Sequence, residues 1–346
     1  MTCYNHAKYL DEALHGVLMQ KTNFPVNIVV HDDASPDGSA EIIRRYAAEN
    51  PNITAILQPV NLMQNGKSVM RAMLPYYTGK YLAYCECDDF WIDEHKLQRQ
   101  VDYLEANPDC VAVYHRTQFV NKYSENYDSA DFFRVTGEGD YPRDKLFGVE
   151  HQMATCVARN FWRLITPEDI DFYTHLKGPG DQRIMAILLR LGRVHYFGEK
   201  MSAYRFVTED GDSYSARMNR LSEYDRYKHV IFWRSEIYVM LEHFFGKKYL
   251  RKYIEVLWEE LRSYRKYHRS VIKDANLNEC YHYRNIPLWV WPVFAGYVSW
   301  RAAKKFAKMI LPNKVLTAIK KLRYNALCSL LSALSSQLSA LAMIVH

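Results

Sequence analysis

The chain has 346 residues, 49% of them apolar and 24% charged, which is enough to close a large core in one or two domains and excludes a disordered or fibrous protein. The formal charge of +6 is uneven: residues 280–346 hold nine Lys or Arg and no Asp or Glu, which leaves −3 on the rest. A nucleic-acid binder would spread its positive charge over the folded body, so this pattern indicates an enzyme-like body with a basic appendage and no nucleic-acid partner. Seven irregularly scattered cysteines make no disulfide framework and suit a reduced cytosol. No cationic stretch followed by an apolar run opens the sequence, so no secretory leader is expected.

In chain order, Leu10, Ala13, Leu14, Val17 and Leu18 recur at helical spacing over residues 8–19, and residues 26–31 read as a buried strand. Turn formers from Asp32 to Ser39 lead into a helix over 40–49, followed by a strand at 53–57, a helix over 67–77 and a strand at 80–85. A helix over 96–105 and a strand at 111–114 come next, then a polar loop with an irregular hairpin over 121–144. Residues 181–191 form a strongly apolar helix, and 194–197 with 201–206 are returning strands. Strands alternating with helices predict a parallel, wound α/β sheet with ligands beyond the carboxyl ends of its strands. Residues 219–269 read as an added helical layer rich in Tyr.

Two acidic clusters fall at strand ends: Asp32-Asp33 and Glu86-Cys87-Asp88-Asp89. Carboxylates this close need neutralising charge, and a hard divalent ion such as Mg²⁺ or Mn²⁺ supplies it while sharing its coordination with diphosphate oxygens. The competing reading is a solvated acidic turn. Asp32-Asp33 suits either a nucleobase or ribose contact or plain helix capping. Cys85-x-Cys87 lacks a second pair at zinc spacing, and neither a Gly-x-Gly-x-x-Gly fingerprint nor a P-loop is present, so NAD binding and P-loop hydrolysis are set aside.

The ordered series Thr2-Cys3-Tyr4-Asn5, Val29-Val30-His31-Asp32-Asp33-Ala34-Ser35-Pro36-Asp37-Gly38-Ser39, Gly79-Lys80-Tyr81-Leu82-Ala83, Glu86-Cys87-Asp88-Asp89-Phe90-Trp91 and Lys96-Leu97-Gln98-Arg99-Gln100-Val101 resembles the inverting family 2 glycosyltransferases. The resemblance implies the GT-A nucleotide-diphosphosugar-binding fold, a mixed sheet flanked by helices. By it, Tyr4 stacks on the donor base, Asp33 binds the base, and Thr2 lines the same pocket. Glu86, Asp88 and Asp89 fall in the metal and ribose motif, with Asp88 and Asp89 as metal ligands. The family motif opens with Asp where this chain has Glu86, a longer arm, so the division of roles among the three stays open. Lys67 and Arg71 lie where a basic residue approaches the donor, or on a solvated helix face. Gly178-Pro179-Gly180-Asp181-Gln182-Arg183 resembles the segment carrying the general base, which makes Asp181 either that base or a helix cap. Trp91 is either an acceptor-side wall or packing.

Two departures accompany the resemblance. The family's apolar first strand does not precede Thr2, so the sheet lacks it or the start is cut short. No Gln-x-x-Arg-Trp segment is present, so one sugar is added rather than a polymer. The expected organisation is a GT-A domain over 1–218, a helical extension over 219–283 and a basic amphipathic tail over 284–346. Aromatics from Trp289 to Trp300 followed by basic helical text suit an anionic inner leaflet, or a solvated helix on the body. Residues 325–345 are long enough to span a bilayer but contain Ser329, Ser332, Ser335, Ser336 and Ser339, which favours an interfacial or packed helix.

The resulting expectation is a metal-dependent inverting glycosyltransferase, cytoplasmic and peripheral on the inner membrane face, using a nucleotide-diphosphate sugar, UDP-sugar favoured. Its acceptor would be a glycan or lipid-linked hydroxyl in capsule, lipopolysaccharide or other cell-surface polysaccharide assembly. The alternatives are a catalytically silent nucleotide-sugar-binding module at the membrane and a nucleotidyltransferase, which would carry a basic Gly-rich loop near its N-terminus.

Overall fold

The structure is a computed structural model, and it describes residues 1–126, 138–141, 152–176, 178–207 and 214–246. These lie in a compact unit spanning Met1–Tyr283. The basic tail, the aromatic segment before it and the serine-rich stretch at 325–345 lie outside the described residues.

Strand β1 (Thr2–Cys3) leads through a short turn to helix α1 (Ala7–Leu18), and strand β2 (Ile28–Asp32) leads to helix α2 (Ser39–Glu49). Strand β3 (Ile53–Leu57) pairs parallel with β2, and β2 pairs parallel with β1, giving the order β1-β2-β3. Thr2 and Cys3 join the sheet beside β2, and Thr2 bridges to Glu86 on the other side. The helix expected over 67–77 is cut to α3 (Val69–Met73), followed by a single 3-10 turn at Leu74–Tyr76. Pro75 explains the change, since it has no N–H to continue the α-helical ladder.

A second, mixed sheet follows. Strand β4 (Tyr81–Ala83), strand β5 (Phe90–Trp91), helix α4 (Lys96–Ala106), strand β6 (Cys110–Val120), strand β7 (Gly139–Asp140) and strand β8 (Val157–Arg159) come in that sequence. Helix α5 (Pro167–His175), helix α6 (Gly180–Leu191), strand β9 (Arg193–Arg205), helix α7 (Tyr214–Arg220) and helix α8 (Glu223–Phe245) complete the described chain. The order is β4-β8-β6-β9-β5, with β7 on β9; β6 and β9 run parallel and the other pairs antiparallel. A wholly parallel sheet is therefore not what forms. The two strands expected at 194–197 and 201–206 are one 13-residue strand, whose register against β6 shifts around His115 and Arg116.

Helices cover both faces of the sheets. Leu10 and Leu14 of α1, Ile43 of α2, and Leu97, Val101 and Leu104 of α4 share one core with Ile28, Val30, Ile53 and Val157. Tyr114, Ala158, the Ile184–Leu189 run of α6, and Met240, Leu241 and Phe244 of α8 share the other. Val157 and Ala158, adjacent on β8, enter opposite cores, as the two-residue period of a strand requires. Each fully buried Leu contributes about 2 kcal/mol of transfer free energy. Gly16 lets α1 approach β5 backbone to backbone, because a Cβ there would sit 2.7 Å from the Trp91 carbonyl oxygen. Among the described residues no helix is long and apolar enough to cross a membrane.

Candidate active site

The carboxyl ends of β1, β2 and the segment after β4 meet at one edge, and the loops they feed are tied together by side chains of the expected motif. Asp32 accepts Ser35 N–H at 3.0 Å and the Ser35 hydroxyl at 2.5 Å, while Ser35 Oγ accepts Asn5 N–H at 3.0 Å. Asp37 accepts Ala7 N–H at 2.9 Å, clamping the start of α1 to the loop after β2. Asn5 and Ala34 both sit at φ +59°, and left-handed backbone at a non-glycine residue is costly unless its surroundings enforce it.

Asp33 is buried, and its carboxylate accepts the backbone N–H groups of Leu62 at 2.7 Å and Met63 at 3.2 Å. Asn61 Nδ2 donates to the Asp33 carbonyl at 2.9 Å, so this one residue orders the loop at 60–66. The same loop carries Gln64, whose Nε2 donates to the Tyr4 hydroxyl at 3.1 Å. Tyr4, Asp33 and Thr2 are thus brought to one edge, with Thr2 bridged directly to Glu86. Lys67 is exposed at the end of the loop. Arg71 is engaged elsewhere, pairing with Asp171 at 2.5 Å and Thr174 at 3.2 Å on α5.

The three carboxylates of the acidic motif have distinct surroundings. Asp88 has 23% of its side chain exposed and faces His6 Nε2 at 3.7 Å. Glu86 is half-buried; burial first, then the charges of Asp88 and Asp181, push its carboxyl up to about 8. Asp89, expected beside Asp88 at the metal, is instead directed inward. It is 1% exposed, with Gln152 Nε2 donating to one oxygen and Arg205 N–H to the other at 2.9 Å, and burial raises its carboxyl well above the ordinary range. Among the described residues no three His, Cys, Asp or Glu side chains close on one point as a cage for an ion. Asp88, with Glu86 beside it, still suits an ion that takes one or two protein carboxylates and completes its shell with phosphate oxygens and water.

Asp181 stands in the first turn of α6, with Gln182 N–H donating to its Oδ1 at 2.7 Å, and it lies close enough to Glu86 for its charge to raise that carboxyl. Residues some hundred positions apart thereby reach one place: Glu86 and Asp88 from the loop after β4, and Asp181 from α6. Trp91 is not an exposed wall. It is 4% exposed, its indole N–H donates to the Ala154 carbonyl at 3.0 Å, and Lys96 Nζ lies 4.2 Å from its ring centre.

Two residues of the site escape a reading of the sequence. The Arg205 side chain is 1% exposed and its guanidinium donates to the Asp88 carbonyl at 2.9 Å, Ser124 Oγ at 3.0 Å, the Asn121 carbonyl at 3.1 Å and Glu12 at 2.5 Å. It also lies 4.1 Å from the Tyr9 ring centre. This cation stiffens the acidic loop from behind, and only the strand-end position of Tyr204-Arg205 after an apolar run hinted at it. Gln152, which precedes β8 and binds Asp89, carried no signal.

A curled mixed α/β sheet with carboxylates gathered at its strand ends defines a GT-A-like domain. The fold of the solved S. aureus TarS 1-349 in complex with UDP-GlcNAc is similar, with a TM-score of 0.54 at 17% identity, over 76% of this chain and 71% of that one. Residues 1–163 match the model of glycosyl transferase family 2. The uncharacterized protein Rv1520 of Mycobacterium tuberculosis is 32% identical over 213 residues, covering 58% of this chain and 59% of the relative. This chain therefore spans about three fifths of that relative's length. The minor teichoic acid biosynthesis protein GgaB of Bacillus subtilis is 22% identical over 219 residues, covering 62% of this chain and 23% of the relative.

Proposed function

We propose that the chain is an inverting glycosyltransferase that moves one sugar from a nucleoside diphosphate sugar, UDP-sugar favoured, to an acceptor hydroxyl in the assembly of a cell-surface glycan. The observation that carries this reading is that Asp181, in the first turn of α6, stands close enough to Glu86 at the sheet edge for its charge to act on that carboxyl. Tyr4 and Asp33 would hold the base, with the 60–66 loop closing over it, and Thr2 would line that pocket. Asp88 and Glu86 would hold Mn²⁺ or Mg²⁺ against the diphosphate, the ion supplying positive charge to the leaving group. Asp181 would take the proton of the acceptor hydroxyl as its oxygen attacks the anomeric carbon, on the face opposite the departing nucleotide, so the anomeric configuration inverts in one displacement. Asp89 and Arg205 would support this group from beneath without touching the donor. The teichoic acid assignment of the GgaB relative supports a surface-glycan setting, and a lipid-linked acceptor at the inner leaflet fits the basic tail.

The test is nucleoside diphosphate release from UDP-N-acetylglucosamine, UDP-glucose, GDP-mannose and dTDP-rhamnose, with crude cell-envelope glycan as acceptor. The parent is expected to turn over one donor, and Asp181→Asn to lose about 10²-fold or more of that rate while still binding nucleotide. An Asp181→Asn variant as fast as the parent would remove Asp181 from the mechanism.

A further inference from the structure

The turn that delivers Asp181 is held by a residue far along the chain. Gly178-Pro179-Gly180 precedes Asp181, and the Gly178 N–H donates to the Glu236 carboxylate on α8. Glu236 is 6% exposed and lies on the same helix face as Met240 (0%) and Phe244 (8%), one and two steps of four residues further on, both within the α6 core. A carboxylate on an apolar, buried face is expensive unless it receives charge-assisted hydrogen bonds, and a backbone N–H provides one. The approach is close: a Cβ on Gly178 would lie 2.9 Å from Glu236 Oε2 and 3.5 Å from its Cβ. Pro179, the next residue, has a ring-locked φ of −56°, so a shift at Gly178 passes through a stiff link to Gly180 and Asp181. From the other side, Arg183 Nη1 donates to the Tyr173 and Leu176 carbonyls at 2.6 and 2.8 Å, fixing the same first turn of α6 to the end of α5.

We infer that Glu236 is a positioning residue for the general base: its buried carboxylate anchors the Gly178-Pro179-Gly180 turn and thereby sets where the Asp181 carboxylate stands. The inference rests on Asp181 acting as the base. It makes α8, which lies beyond the family-matched residues 1–163, part of the catalytic unit. A base must be held to within a fraction of an ångström of the proton it takes, and a misplacement of about 1 Å costs about 10²-fold in rate. Donor binding, built from Tyr4, Asp33 and Asp88, does not depend on that turn.

The experiment compares Glu236→Ala, Glu236→Gln and Gly178→Ala with the parent, using whichever donor of the four-member panel the parent turns over. Glu236→Ala is expected to lower kcat about tenfold or more, with the donor KM within about twofold and the nucleotide-induced thermal shift unchanged. Glu236→Gln keeps an oxygen that accepts the Gly178 N–H and recovers most of the loss, whereas Gly178→Ala, which displaces the carboxylate, reproduces it. In an Asp181→Asn background, Glu236→Ala causes no further loss, because the group it positions is already gone. If Glu236→Ala does not fold, Glu236→Gln and Gly178→Ala decide the matter in the same way. A parent-like kcat in folded Glu236→Ala, or losses that multiply with Asp181→Asn, would overturn the inference while leaving the base assignment intact. An Asp181→Asn variant with full activity, or a parent that releases nucleotide from no donor of the panel, would overturn the base assignment and this inference together.

Discussion

Lys96 is fully buried at the start of α4, between the Trp91 ring and Gln100, whose Oε1 accepts from its Nζ at 2.9 Å. Among the described residues no carboxylate pairs with it. Burial drives its pKa down from 10.5 to about 7, only partly offset by Cys156, Cys85 and Asp93. The sign of the consequence follows from proton counts. Between pH 7 and 10.5 the unfolded chain keeps this proton while the folded chain has shed it, so folding becomes more favourable as pH rises through that window. At pH 7 the folded group is about half protonated; at pH 9 it is neutral. Integrating the difference at about 1.4 kcal/mol per proton per pH unit gives about 2 kcal/mol of stability gained between pH 7 and 9 from this one residue. Lys96→Met keeps the length and the contact with the Trp91 ring but removes the titration. It also leaves Gln100 Oε1 without its donor, a cost of about 1–3 kcal/mol that does not vary with pH, so the slope is the informative quantity. Urea unfolding of parent and variant at pH 7, 8 and 9 should show the parent gaining about 2 kcal/mol relative to Lys96→Met. Parallel pH profiles would refute the burial argument and mean that Lys96 reaches water or a counter-charge in the folded protein.

Three further outcomes follow from the geometry. Asp33→Asn should cost about 1–3 kcal/mol, measured by chemical denaturation, because its amide end would point a donor at the Leu62 or Met63 N–H, and it should also abolish nucleotide-induced stabilisation. Gly16→Ala should destabilise by about 1–3 kcal/mol in the same assay, since both the Cβ and the Trp91 backbone it meets at 2.7 Å are rigidly held. Arg205→Met should lower both the thermal midpoint and nucleotide affinity, because it leaves Glu12 and the Asp88 carbonyl without their shared partner; an unchanged affinity in a folded variant would confine Arg205 to a packing role.

Periodicity made the N-terminal half legible. Leu10, Leu14 and Val17 in α1, Ile43 in α2 and Leu97, Val101 and Leu104 in α4 point into one core, as their spacing demanded. The long pairing of β6 with β9 was hidden because His115, Arg116, Thr117 and Gln118 interrupt the apolar run. His115 and Thr117 are nevertheless buried, His115 Nδ1 meeting the Arg116 carbonyl and Thr117 Oγ1 donating to the Ser202 carbonyl across the sheet. Helix α5 went unseen for want of an apolar stripe, although Thr166-Pro167-Glu168-Asp169 forms a capping box that could have marked its start. The motif acids were legible as a group but not in their roles: Asp89 and Asp33 are distinguished from Asp88 by backbone donors from Arg205, Leu62 and Met63, contacts that exist only after the chain has folded. Trp91 and Arg205 fail in opposite directions for the same reason. An aromatic read as a wall is core, and a strand-end arginine with no local motif is the buried cation of the site, its carboxylate partner 193 residues away in sequence.

The most direct test of the central claim is calorimetric titration of the protein with UDP, GDP and dTDP, with and without Mn²⁺, alongside Asp88→Asn and Asp33→Asn. One nucleotide is expected to bind, Mn²⁺ to strengthen it, Asp88→Asn to remove the metal effect, and Asp33→Asn to remove binding altogether. A folded parent that binds none of the three, or binds one equally well in both variants, would contradict a nucleoside diphosphate site at this sheet edge.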